Sequence, residues 1–279
     1  MPIPFPPPSE QRTIAAFLDR ETAKLDALIA KKQRLIELLH EKRAALISHA
    51  VTKGLDPSVP MRDSGVAWLG EIPAHWGVTL LKYITHEVTV GIVVTPAKYY
   101  VDDGIPCLRS LNVREGQLRD TDLVYVSEES NRLLSKSVIH KGDLVAVRTG
   151  QPGTTAVVDD VFDGANCIDL IIIRQSPKFV SQFMMYLANS DFAKKQFASG
   201  AAGAIQQHFN IETAKNLIVL VPPYKEQDQI TGYLDSQTTK INELVAKNHQ
   251  LIDVLQEYRT ALISAAVTGK IDVRGEVDP

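Results

Sequence analysis

One segment occurs twice in the chain, and this repetition restricts the possible folds more than any other part of the sequence. The phrase ALISHAVTKGLD at residues 45–56 returns as ALISAAVTGKID at residues 261–272. The match continues upstream without a gap to PPPSEQRTIAAFLDR at 6–20 and PPYKEQDQITGYLDS at 222–236, with about half of the positions identical. Chance does not keep one register over so long a stretch, so the segment is an internal duplication.

Each copy predicts one long helix. The copies begin after a proline-rich stop, near Glu10 and Glu226, and contain no proline before their ends. Glu, Lys, Gln, Ala and Leu dominate them, and these residues favour helices. Gly54 and Gly269 stand where the helices should end.

A seven-residue repeat runs through both copies and predicts that they pair as an antiparallel coiled coil. The core rows are Leu18, Leu25, Lys32, Leu39, Leu46 and Leu234, Ile241, Asn248, Leu255, Leu262, with companions at Leu28, Leu35, Leu244 and Leu251. In this pairing Lys32 falls near Asn248. Either the two form a polar pair that fixes the register, or Lys32 reaches the edge of the seam and Asn248 is only tolerated. Further apolar positions, including Ile29, Ile36, Val245 and Ile252, widen the stripe, so we expect another surface to pack on it.

Residues 57–221 match neither copy and predict a separate domain. A linker, GLDPSVPMRDSG, precedes short runs such as GDLVAVRTG, IDLIIIRQ and NLIVLVPP, whose dense Val and Ile predict strands. The stretch SPKFVSQFMMYLANSDFAKKQFASG predicts one or two helices. The predicted fold class is therefore mixed α/β, with one globular domain (57–221) between a helix in 1–56 and a second helix and tail in 222–279.

Composition sets the compartment and the broad class. The chain of 279 residues is 44% hydrophobic and 23% charged, as in soluble globular proteins. No apolar run approaches the ~20 residues that span a membrane, and the N-terminus lacks the pattern of a signal peptide. The two cysteines, Cys107 and Cys167, form no CxxC pair, which favours reduced cytosolic thiols. We therefore expect a cytoplasmic protein that does not bind membranes.

Two short motifs resemble catalytic signatures, but they lack residues that the chemistry needs. VPPY at 221–224 has the shape of the motif of amino-methylating DNA methyltransferases, but Val221 stands where that chemistry needs a polar acceptor. No glycine-rich turn for S-adenosylmethionine, no phosphate loop and no metal-spaced His/Cys cluster is present in the sequence. The sequence predicts no catalytic residue, no cofactor and no metal.

The duplicated helix, WLGEIPAHW at 68–76, GDLVAVRTGQPGTTAVV at 142–158 and IVLVPPYKEQ at 218–227 together resemble the specificity (S) subunit of type I restriction-modification systems. The resemblance implies a non-catalytic subunit in which two recognition domains each read half of a split site in double-stranded DNA. It also implies that the conserved helices hold these domains apart and bind methyltransferase (modification) subunits, with the restriction subunit joining through the complex.

This chain departs from the family pattern because it carries one recognition domain, so it resembles the second half of such a subunit. A natural half-subunit, a split gene product and a fragment all fit. A second copy of this chain, or a different half-specificity subunit, could supply the other half. A coiled-coil protein adaptor without DNA binding is the alternative function.

The candidate DNA-reading residues lie on turns, because charge alone does not predict a DNA surface. Residues 57–221 hold 15 basic against 17 acidic side chains, so we expect base contacts here and phosphate contacts from partner subunits. Arg suits guanine and Gln suits adenine in the major groove. The candidates are Arg109, Ser110, Asn112, Arg114, Arg148, Thr149, Gln151, Gln206, Gln207, His208 and Asn210. By contrast, Trp68, Ile72, Pro73 and Trp76 of WLGEIPAHW predict a packed clasp between linker and domain, with base stacking as the alternative.

Overall fold

The computed structural model describes residues 5–199 and 209–275, and its contacts divide the chain into two compact units. One unit contains the residues up to Arg43 and those from Ser236 onwards, and the other is Ala44–Asp235. Within the described residues no helix is both long and apolar enough to span a membrane.

Long helices lie towards both ends of the chain, as the duplication predicts, and short strands and helices lie between them. The helices are α1 Pro8–Lys53, α2 Glu128–Leu133, α3 Ser181–Asn189, α4 Asp191–Ser199, α5 Ile211–Lys215 and α6 Tyr224–Val267. The strands are β1 Met61–Asp63, β2 Glu71–Pro73, β3 Gly77–Leu80, β4 Val88–Val90, β5 Tyr100–Val101, β6 Ile105–Leu108, β7 Val113–Arg114, β8 Gln117–Leu118, β9 Val124–Val126, β10 Leu144–Val147, β11 Thr155–Val157, β12 Asn166–Cys167, β13 Leu170–Ile173 and β14 Ile218–Val221.

The first unit is a pair of antiparallel helices formed by α1 and α6. Phe17, near the start of α1, packs with Ala266 at the end of α6. Further along, the Arg259 guanidinium donates hydrogen bonds of 2.9 and 3.3 Å to the Asp26 carboxylate. Each step forward on α1 is therefore a step back on α6. The antiparallel pairing that the duplication predicted is confirmed.

The seam of this unit keeps the predicted core row, in which Ile241 is 6% exposed, but fills it out with isoleucines instead of the predicted companion leucines. Ile29, Ile36 and Ile252 are buried and pack together with Val245 and Leu255. The expected companions Leu28, Leu35, Leu244 and Leu251 are all 39–48% exposed. Positions three and four residues beyond a core leucine fall on opposite sides of it, because a helix has 3.6 residues per turn. The seam uses the isoleucine side and leaves the leucine side in solvent.

The central polar residues of the two rows take different environments. Asn248 is buried, and its Nδ2 donates to the Leu244 carbonyl of its own helix at 2.8 Å. Lys32 is half-buried. Among the described residues no hydrogen bond links the two side chains, so the role of Asn248 in fixing the register stays a prediction.

The second unit is the mixed α/β domain. Its largest sheets are four-stranded, in the orders β11-β10-β13-β4 and β12-β6-β9-β5. Its main core also contains Ile47, Ala50 and Val51 from the end of α1, with Ile230 and Leu234 from the start of α6. This packing explains why the compact unit begins at Ala44, before the linker.

Of the clasp predicted for WLGEIPAHW, Ile72, Pro73 and Trp76 are buried. Trp68 is 42% exposed, so the prediction is wrong for this residue, whose ring lies 5.2 Å from the ring of Phe192. The Trp76 indole Nε1 donates to Glu226 Oε1 at 3.1 Å, and His75 Nε2 lies 2.8 Å from Glu226 Oε2. Gly54 ends α1 with φ +78°, and a Cβ there would meet Glu226 and Trp76 at 3.3 Å. The end of α1 and the start of α6 are thus tied through one carboxylate.

Candidate nucleic-acid interface

Strands β10, β13 and β4 begin or end along the same edge of the sheet β11-β10-β13-β4. Val147, the last residue of β10, pairs with Leu170, the first of β13, and the antiparallel β4 runs back to the same edge. The chain after β10 continues as the turn RTGQPG, which leads into β11. Predicted DNA-reading residues of this turn therefore lie beside the residues that precede β13.

Arg148 and Thr149 are held by a residue that sequence analysis did not select, Asp169. Arg148 Nη1 donates to Asp169 Oδ1 at 2.6 Å, and the Thr149 hydroxyl donates to Asp169 Oδ2 at 3.0 Å. Both side chains of the ion pair are about one-third exposed. The only sequence signal for Asp169 was a single acidic residue before the buried run LIII, which is too common to mark a site.

The rest of the turn presents Gln151 to solvent. Gly150 has φ +95° with open space around it, so glycine is needed there for the backbone conformation. The Gly153 amide donates to the Val147 carbonyl at 2.8 Å and closes the turn. A short closed loop thus carries the exposed amide of Gln151 next to Arg148.

The described part of the second predicted cluster, residues 209 and 210, lies beside the Arg148 turn. The Phe209 amide donates to the Arg148 carbonyl at 3.1 Å, and the Phe209 side chain is buried. Asn210 is exposed and caps α5, since its Oδ1 accepts from the Thr213 amide at 2.9 Å. The other predicted members of this cluster, Gln206, Gln207 and His208, lie outside the described residues.

An apolar cleft of about 310 Å³ adjoins these groups. Its walls include Val90, Val93, Ile171 and Ile211, and Arg148, Asn210 and Glu212 also line it. Val93 and its neighbour Val94 are exposed, at 48% and 70%. Exposed valines beside a fixed arginine were not predicted from the sequence.

The third predicted cluster, residues 109–114, is divided between core and surface. Asn112 is fully buried, accepts from the Arg109 amide, and donates to the carbonyls of Arg119 and Thr121. It therefore holds its own loop together and offers no surface to DNA in this conformation. The Arg109 guanidinium donates to the Asp122 carbonyl.

Arg114 and Ser110 remain accessible in this cluster. Arg114 is exposed and Ser110 is half-buried. Arg114 lies on the β7–β8 hairpin, whose Gly116 amide donates to the carbonyl of Thr155 at the start of β11 at 2.9 Å. The hairpin thus adjoins the same strand that follows the Arg148 turn.

The described part of the chain holds no group of three or more His, Cys, Asp or Glu side chains that could bind a metal ion. Cys107 and Cys167 are both buried. Burial raises the pKa of the Cys107 thiol to about 12 and raises the pKa of Cys167 further. These thiols are therefore protonated at neutral pH.

The fold is that of solved type I restriction-modification proteins. A chain from a structure of the type I R-M system superposes with a TM-score of 0.75 at 15% identity, covering 96% of this chain and 62% of that one. The HsdS subunit from Thermoanaerobacter tengcongensis gives a TM-score of 0.57 at 16% identity, over 96% of this chain and 61% of that chain.

Curated relatives point the same way, although no family model matches the chain. The MjaVIII specificity subunit of Methanocaldococcus jannaschii is 24% identical over 278 residues, covering 98% of this chain and 62% of the relative. The EcoBI specificity subunit of Escherichia coli is 25% identical, over 89% of this chain and 55% of the relative. The chain is thus similar, over nearly its whole length, to type I restriction enzyme specificity subunits, which confirms the resemblance. It spans less than two thirds of their length.

Proposed function

We propose that this chain is a DNA sequence-specificity subunit of a type I restriction-modification complex and reads one half of a bipartite target. The observation that carries the proposal is similarity to specificity subunits over 98% of the chain, together with their fold. A protein adaptor without DNA binding is not favoured by this similarity. The proposed recognition domain is residues 57–221, and the proposed helical regions are 1–56 and 222–279.

The reading surface is the sheet edge described above. Arg148, Thr149, Gln151 and Asn210 gather there from two separate stretches of chain, and the adjoining hairpin carries Arg114. Arg, Gln and Asn side chains carry the donor and acceptor pairs that distinguish bases in the major groove. Base contacts need only a few such groups, so the slightly acidic balance of the domain does not oppose this role.

The helix pair is proposed to dock the modification subunits. Leu28, Leu35 and Leu38 of α1, with Leu244 and Leu251 of α6, are 39–48% exposed. Apolar side chains repeated along helices and left in solvent mark a protein contact. Through the modification subunits the restriction subunit would join the complex.

We expect the chain itself to be non-catalytic, since the relatives are named as specificity subunits. S-adenosylmethionine should bind to the assembled complex through its modification subunit. Calorimetry with the chain alone should give no heat of binding. Tight binding of the cofactor to the isolated chain would contradict this role.

The decisive experiment is co-expression with a type I modification subunit, followed by methylation mapping of the host DNA. We expect methylation at one bipartite sequence. The matched control is the modification subunit expressed alone, which should leave that sequence unmethylated. A stable complex that methylates no defined sequence, or a chain that never joins the complex, would refute the proposal.

A second copy of this chain, or a different half-specificity subunit, is proposed to supply the second recognition domain. The support is the duplication, because α1 and α6 present similar surfaces that could serve a second pair of partners. The form of the methylated sequence separates the two cases.

A further inference from the structure

We propose that Asp169 is a positioning residue that aims Arg148 at a guanine in the major groove. This inference rests on the proposed function and names the base that the sheet edge reads. The carboxylate of Asp169 accepts hydrogen bonds from both the guanidinium of Arg148 and the hydroxyl of Thr149.

The backbone of Asp169 shows why the carboxylate matters. Its φ of +52° lies in the left-handed region, which glycine and asparagine adopt more readily than aspartate. The Asp169 amide donates to the Ile92 carbonyl at 3.1 Å, so the turn is fixed to the chain that follows β4. Glycine or asparagine would suit this turn at least as well, and neither would bring a negative charge to Arg148. The side chain, rather than the turn, accounts for an aspartate here.

The ion pair defines what Arg148 can do. Pairing with Asp169 offsets the positive charge locally, which weakens attraction to phosphate and leaves hydrogen bonding as the main interaction. A guanidinium has five N–H donors, and the carboxylate accepts from one nitrogen. A pair of neighbouring N–H donors therefore remains for a bidentate contact. The N7 and O6 acceptors of guanine match such a pair of donors.

The surroundings keep the guanidinium in this orientation. The backbone carbonyl of Arg148 accepts a hydrogen bond from the Phe209 amide. The Arg148 side chain borders the apolar cleft walls Val90, Ile171 and Ile211. The acidic residue on the cleft rim, Glu212, lies 3.4 Å from Lys215. Asp169 is therefore the carboxylate that orients Arg148, and a pre-oriented arginine loses less entropy when it binds a base.

The test uses three single variants of the chain in complex with its modification subunit, Asp169→Asn, Asp169→Gly and Arg148→Ala, and the double variant that combines Asp169→Gly with Arg148→Ala. Asparagine and glycine both accept the left-handed turn, and only asparagine keeps an acceptor for Arg148. At one guanine of the half-site that this chain reads, Arg148→Ala should lower discrimination by roughly 5- to 150-fold. Asp169→Gly should lower it similarly, and Asp169→Asn should retain most of it. The double variant should be no worse than Arg148→Ala alone.

Two further measurements separate positioning from a structural role. Thermal unfolding of both Asp169 variants should match or exceed that of the unmodified protein, while specificity falls in the glycine variant. Replacing the guanine with 7-deazaguanine, which lacks N7, should weaken binding by the unmodified complex and leave the Arg148→Ala complex unaffected.

The outcomes distinguish this inference from the function on which it rests. If the complex methylates no defined sequence, the proposed function fails and the inference fails with it. If it does methylate one, a half-site without guanine overturns the inference alone. Full discrimination by Asp169→Gly, or stability that falls in step with specificity, also overturns it.

Discussion

Glu226 shows how one side chain can link separate parts of the α/β unit. It accepts from the Trp76 indole, which is 1% exposed, and it lies 2.8 Å from His75. A buried N–H that loses its acceptor costs about 1–3 kcal/mol. The carboxylate therefore contributes to the stability of the junction between the end of α1 and the start of α6.

We expect Glu226→Ala to lower the free energy of unfolding by about 1–3 kcal/mol, because the Trp76 N–H would remain buried without its partner. Urea denaturation measures the change. Asp228→Ala, two residues further along α6 and exposed, is the control and should change stability by less than about 0.5 kcal/mol. Equal effects of the two substitutions would show that the contact with Trp76 is unimportant.

The burial of the two cysteines leads to a second prediction about individual residues. Because burial raises the pKa of Cys107 to about 12 and also raises that of Cys167, almost no thiolate is present at neutral pH. A thiol reagent such as dithiobisnitrobenzoate should label the native protein very slowly and both thiols quickly in denaturant. Ser135→Cys, at an exposed position, should add one fast thiol. Fast labelling of the native unsubstituted protein would contradict the burial.

Among the elements, α6 allows stability and the proposed docking to be tested separately. Ile252 is 7% exposed in the seam, while its neighbour Leu251 is 39% exposed. A charge at Ile252 would be buried without a partner, whereas a charge at Leu251 would stay in water. Of these two adjacent residues of α6, one thus lies in the seam and the other lies on the exposed surface.

We expect Ile252→Asp to disrupt the pairing at a cost of several kcal/mol, and Leu251→Asp to leave the pair folded while weakening its binding to a modification subunit. Circular dichroism during thermal unfolding measures the first effect, and co-purification measures the second. If Leu251→Asp still assembles normally, the exposed leucines are not the docking surface. The predicted core position Leu255, half-buried beside Ile252, should behave like Ile252 when replaced by Asp.

Asn248→Leu tests the polar residue at the centre of the seam. The amide of Asn248 bonds to its own helix, so a leucine should keep or raise stability. A specifying role predicts looser register or a changed association state. Cysteine crosslinks between α1 and α6 report the register, and light scattering reports the association state. Unchanged results in both measurements would count against that role.

At the scale of the whole molecule, the prediction concerns the symmetry of the DNA site. The chain contributes one α/β unit, and a homodimer related by a two-fold axis would present two identical reading edges in opposite directions. We therefore expect this chain with a modification subunit to methylate a palindromic sequence with a fixed central gap. Methylation mapping measures the motif. An asymmetric bipartite motif obtained from this chain alone would rule out the homodimer.

Local signals in the sequence are sufficient to predict the two helices, their antiparallel pairing and the mixed α/β domain between them. Helix propensity, heptads and duplication are signals along the chain, readable without knowing any distant contact. The turn at Arg148 is also readable along the chain, because its glycines and polar residues predict a loop.

Tertiary contacts settled which apolar side chains fill the seam and which groups share the proposed reading edge. Leu28 and Ile29 are equally apolar neighbours, and only packing against the partner helix buries the isoleucine and exposes the leucine. Asp169 meets Arg148 because β10 and β13 pair in one register. Strand pairing depends on contacts between residues far apart in the sequence, and local patterns carry no record of such contacts.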